Sequence, residues 1–239
     1  MGDFLFRLRD FFRYSNRELK DLFITILIVT FAFAYDDKNE IFVLDYWIFN
    51  FIKIFFLVLI SFFVYTSFQK MSALSQGFIA EYRAWSVGLA ITFIFTILTQ
   101  GKLYLLLMGG LVLYHVSILR LGKFRYGENI NSRGLIAASG AIGNLVLATF
   151  SLAMSAQLNI MPELFNLLAV INFWLMIYSL LPIPKHDGIH LFFMSRLTYV
   201  FIFSTLLAYV LLTRFEIYSW IFSLLIGTTC WFLYYAYLE

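Results

Sequence analysis

The residues best suited to chemistry lie in one stretch, "LLPIPKHDGIHLFF", Leu180 to Phe193, which holds two of the three prolines, two of the three histidines and an aspartate beside long apolar runs. Proline lacks a backbone donor and clashes with the preceding turn, so Pro182 and Pro184 end or break the helix arriving from Phe165. Gly188 relieves the turn that follows. Irregular backbone at membrane depth is tolerated only inside protein or beside a watered cavity, and an ionisable residue there marks a candidate site. Asp187 therefore reads as a metal ligand, a proton carrier or the N-cap of a helix "GIHLFFMSRL". His186 and His190 stand four apart and flank Asp187, a spacing that puts both rings on one helical face if the helix begins before His186. Gly188 is a poor interior helix residue and opposes that reading. The alternative is a pair of interfacial histidines bonded to water or carbonyls.

The elements that position these residues are membrane helices. A 239-residue chain that is 62% hydrophobic, 21% aromatic and 13% charged is an integral membrane protein rather than a soluble domain. Its length suits one bundle of about six to eight crossings of about 20 residues each, leaving no room for a soluble catalytic domain. The formal charge of +3, with basic residues at the ends of apolar runs, argues against a nucleic-acid partner and for lipid. A single cysteine, Cys230, excludes an internal disulfide and a cysteine-based zinc cage.

Two units follow, a basic amphipathic arm over 1–20 and a single transmembrane domain over 21–239. The arm mixes Phe4, Leu8, Phe11 and Phe12 with arginines and suits an anionic membrane surface. "SNRE", Ser15 to Glu18, reads as a capping box. Crossings are expected over 22–35, 47–68 (closed by Lys70 at the inner interface), 135–154, 165–181, 197–212 and 217–238. The stretch 86–119 is ambiguous, with Gly109-Gly110 either a hairpin turn or a close helix contact. Acidic Asp36, Asp37, Glu40 and Asp45 follow the first crossing, and a basic group, Arg120, Lys123, Arg125 and Arg133, precedes the small-residue helix. Arg214 and Glu216 fall in the last turn. The lysine and arginine asymmetry places the N-terminus in the cytoplasm of a multi-pass protein.

"INFWLMIYSLLPIPKHDG", Ile171 to Gly188, resembles the third conserved segment of the site-2 protease family of intramembrane zinc metalloproteases. "AASGAIGNLVLATF", "AEYRAWSVGL" and "SNRELKDLFITILIVTFAFAY" resemble further segments of its archaeal members, in the same order, over roughly 15–195. The resemblance implies a site-2-protease-like all-α bundle with its broken helix at Pro-Ile-Pro-Lys-His-Asp-Gly and room for short interfacial strands. It implies that Asp187 is the family's third zinc ligand, with Ser179, Pro182, Pro184, Gly188, Gly140 and Asn144 framing the cavity. In the family that helix starts at the Asp-Gly, which leaves His186 outside it. The family also holds unwound substrate by strand addition beside the cavity. "FIAEYRAW" has strand composition, which makes Glu81, Tyr82 and Arg83 a candidate substrate edge.

The catalytic motif departs from the family. Its His-Glu-x-x-His supplies two zinc ligands and the general base. The corresponding positions here are Tyr65, Thr66 and Gln69, and no histidine precedes His115. A phenol titrating at about 10, an amide and a threonine cannot replace them. The expected function is a catalytically inactive pseudoprotease that binds transmembrane segments of partner proteins and needs no cofactor. Two alternatives remain. One is an active metalloprotease with zinc moved to His186, Asp187 and His190. The other is a small ion or proton transporter built on the broken helix.

Overall fold

The computed structural model describes residues 2–36, 42–115, 129–157, 159–213 and 219–238. The expectations resting on Asp37, Glu40, Arg120, Lys123, Arg125, Arg214 and Glu216 lie outside the described residues. Along the chain run α1 (Gly2–Phe11), α2 (Asn16–Ala34), α3 (Leu44–Ser75), β1 (Phe78–Ala84), α4 (Ser86–Leu98), β2 (Gly109–His115), α5 (Ile130–Ala156), α6 (Pro162–Leu180), α7 (Gly188–Met194), α8 (Arg196–Leu212) and α9 (Ser219–Leu238). Four of these, α3, α5, α6 and α9, are long and apolar enough to cross a membrane, while α4 and α8 are shorter apolar helices. The chain is a membrane protein, and its many exposed Phe, Leu and Ile side chains suit contact with lipid.

Local signals explain where the elements start and stop. Ser15 caps α2 by accepting from the Glu18 N–H at 3.2 Å. The other half of a capping box is missing, because the Glu18 side chain is drawn elsewhere. Helix α6 begins with Pro162 in its first turn and ends at Leu180. Leu181, the residue before Pro182, adopts extended backbone, as the proline ring requires. The chain then turns through Lys185, at φ 71° one of the few non-glycine residues in the left-handed region.

The ambiguous stretch is neither a membrane hairpin nor a helix contact at Gly109-Gly110. Its second half is β2, antiparallel to β1 with Tyr82 opposite Leu111 and Ala84 opposite Gly109. Alternating Leu111 and Leu113 are buried with Phe78, Ala80, Ile136 and Ala137, which packs this two-stranded sheet onto α3 and α5. Lys70 likewise does not close α3 at an interface. The helix continues to Ser75, and Lys70 is buried.

The main core gathers α2, α3 and α6 around Val29, Val58, Ile171 and Leu175. A second cluster joins α5, α6, α7 and α8 through Ala141, Met176, Leu191 and Tyr209. Between them, Asn172 on α6 donates to Ser61 Oγ on α3 at 2.9 Å, a polar tie between two membrane helices.

Candidate functional site

Three positions that the family resemblance places around a metal ion, Tyr65, Gln69 and Asp187, come together. Tyr65 and Gln69 lie one turn apart on one face of α3. The Tyr65 hydroxyl donates to Asp187 Oδ2, and Gln69 Nε2 donates to the same oxygen at 2.5 Å. The other oxygen, Oδ1, accepts the Leu111 N–H of β2 at 2.8 Å. That N–H is free because Leu111 and Tyr82 form a pair whose main-chain groups point away from each other, the Tyr82 N–H going to Glu18. Asp187 is 1% exposed. An ionised carboxylate accepts only, so three donors match its charged form and tie α3, β2 and the α6–α7 turn together.

Two glycines permit this approach. A Cβ on Gly140 of α5 would meet the Tyr65 ring at 2.6 Å and Gln69 Nε2 at 2.9 Å, and one on Gly110 would meet Asp187 Oδ1 at 2.6 Å. Small residues at both points let the helix and the strand close on the aspartate.

Although Asp187 immediately precedes α7, its side chain makes no capping bond. The N-cap reading fails because the carboxylate reaches across to α3 and β2 instead. His186, fully buried, completes the end of α6. Its Nδ1 lies 2.7 Å from the Tyr178 carbonyl, the acceptor whose fourth-residue partner is Pro182, which has no N–H to give. The ring therefore donates from Nδ1 and meets Trp85 edge-on at 6.3 Å. Burial lowers the His186 pKa, opposed by this bond to Tyr178. His190 follows on α7, where burial and then the charge of Arg133 pull its pKa down to about 4. Among the described residues no three His, Cys, Asp or Glu side chains group to hold a metal.

Thr66 donates to the Phe62 carbonyl at 2.9 Å and pairs with the Tyr14 hydroxyl at 3.0 Å, so it faces the α1–α2 connection rather than Asp187. Ser179 is buried and bonded back to Met176 O at 2.8 Å. Pro182 and Pro184 form the turn, and Gly188 starts α7. Asn144 is buried with neither polar side-chain atom bonded. This donor set does not fit a zinc ion. Both Asp187 oxygens are engaged by hydrogen donors, and the facing residues present a phenol and an amide.

Compared with protein-family models, curated proteins and solved structures, the chain matches none.

Sequence reasoning missed the pair that closes the other side of the sheet. Lys70 Nζ donates to Glu18 Oε2 at 2.8 Å, to the Ala80 carbonyl at 2.9 Å and to the Arg13 carbonyl at 3.0 Å, using all three ammonium protons. It also stands 4.5 Å over the Tyr14 ring. Glu18 Oε1 accepts the Tyr82 N–H at 3.1 Å. The outer edge of β1 is thus capped at Ala80 and Tyr82, so an added strand cannot pair at these two residues. Glu81 and Arg83 pair with each other on this strand, with Asp21 3.7 Å from the Arg83 guanidinium. The only sequence signal for the buried pair was an ionisable residue, Lys70, inside an apolar helix.

Proposed function

We propose that this chain is a multi-pass, site-2-protease-like pseudoprotease, with its N-terminus in the cytoplasm, that binds transmembrane segments of other membrane proteins without cutting them. The observation that carries the reading is the closed contact of Tyr65 and Gln69 on Asp187. The three positions meet, as a member of that family requires, but they meet as donors and acceptor with no ligand set between them. A hydrogen-bonded Asp187 holds the α6–α7 break, α3 and β2 in one arrangement, which suits a rigid binder rather than a hydrolase.

Binding without cleavage needs an apolar lateral surface. A cleft of about 290 Å³ between α2 and α3 is lined by Leu22, Phe23, Ile26, Leu59 and Phe63, with Tyr14 and Thr66 at its polar end. Its size suits the side chains of a neighbouring membrane helix.

Reconstituted protein carrying a photoreactive phenylalanine analogue at Phe63, mixed with a defined single-span peptide, tests both halves. A crosslink that weakens in Phe23→Trp, with the peptide left intact, is the expected result. Chelator-sensitive cleavage lost in His190→Ala would instead establish the relocated metalloprotease. Absence of any crosslink would remove the binding role.

A further inference from the structure

Beside the aspartate lies a second, separate feature. A small cavity of about 10 Å³ is lined by Phe62, Tyr65, Tyr82, Met108, Gly109 and Asn144. Asn144 is 1% exposed, and both its Oδ1 and its Nδ2 lack any hydrogen-bond partner. An amide with both ends unsatisfied in the interior is rare, and each such group calls for an explanation. The volume is close to the minimum for one water molecule, too small for any larger ligand.

The strand register supplies the remaining partners. Tyr82 and Ala80 turn their main-chain groups outward to Glu18 and Lys70, whereas Trp85 bonds across to the Met108 carbonyl at 3.0 Å. Alternation then puts Gly109, opposite Ala84, at a position whose N–H and C=O do not pair with β1. Gly109 borders the cavity with these groups unused by the sheet, while Asn144 enters from α5.

We infer that this cavity is a built site for one ordered water, held between the Asn144 amide and the main chain of Gly109. A water makes about three hydrogen bonds when buried, which these groups can provide. It joins α5 to the start of β2, one ring away from Asp187, and it gives Asn144 its role in an otherwise apolar wall.

Radiolytic footprinting reads this directly, because hydroxyl radicals form from bound water and oxidise the side chains beside it. Met108 borders the cavity, whereas Met176, fully buried in the second core cluster, is a dry control of the same residue type. In the purified wild-type protein Met108 is expected to oxidise at least about tenfold faster than Met176. Asn144→Leu, which fills the cavity, should bring Met108 to the Met176 rate, and Asn144→Val serves if the leucine variant does not fold. Equal rates for the two methionines in the wild type overturn the inference. So does a fast Met108 that is unchanged in a folded Asn144 variant, since the water would then be held by other groups.

Discussion

Asp187 accepts from three buried donors, and the consequence is measurable as stability. Asp187→Ala strands the Tyr65 hydroxyl, a Gln69 N–H and the Leu111 N–H at about 1 kcal/mol or more each, so a loss of about 3 kcal/mol or more is expected in a detergent unfolding titration. Asp187→Asn keeps one oxygen but turns the other into an NH₂ that faces donors, and about 1–3 kcal/mol is expected. Tyr65→Phe removes one of the three and should fall in the same lower range. If Asp187→Ala were neutral, the carboxylate would not be tying these elements together. His186 acts at the same scale. His186→Ala removes the donor that stands in for the missing Pro182 N–H at the end of α6, while the Tyr178 carbonyl keeps the Leu181 N–H at 3.3 Å, so the lost hydrogen bond is expected to cost about 1 kcal/mol, with little change in His186→Asn if its amide reaches Tyr178.

At the level of elements, the two-stranded sheet of β1 and β2 is clamped from both sides, by Asp187 on β2 and by Glu18 with Lys70 on β1. Removing one partner of a buried ion pair strands the other charge, so Lys70→Met or Glu18→Gln alone should cost about 3–5 kcal/mol, and the double variant less than the sum. Additive losses would show that the two act independently. The chemistry of the α6–α7 turn was readable in the sequence because proline acts locally: a missing N–H at Pro182 and Pro184 breaks a helix wherever it occurs. Tyr65 and Gln69 were reached only through the family resemblance, although their i and i+4 spacing does put them on one face of α3. Leu111 was not readable, because its free N–H depends on the pairing of two strands about 30 residues apart. The same holds for Glu18 and Lys70, which the chain joins only by bringing α2 against α3. The apolar run ending in β2 looked like membrane sequence because a strand buried on protein needs the same apolar residues as a helix in lipid.

For the whole molecule, the fold brings the basic arm to the C-terminal end of α3, where Arg7 donates to the Leu74 carbonyl at 3.2 Å. Arg133, in the first turn of α5, acts on His190 of α7. These residues lie toward the end of α3 that holds Lys70, and Asp45 and Lys53 lie toward the other. If the arm is cytoplasmic, as proposed, a cysteine at Arg9 should react with an impermeant thiol reagent only from the cytoplasmic side, and one at Asp45 only from the opposite side. Reversed labelling would invert the topology. On the proposed reading Tyr65, Gln69 and Asp187 occupy a lapsed zinc site, and metal analysis of the purified protein decides it. Wild-type protein purified without chelators should carry no stoichiometric metal. The triple variant Tyr65→His, Thr66→Glu, Gln69→His should take up about one zinc per chain and lose it on Asp187→Ala. Stoichiometric metal in the wild type that disappears with Asp187→Ala would show instead that the zinc site is intact.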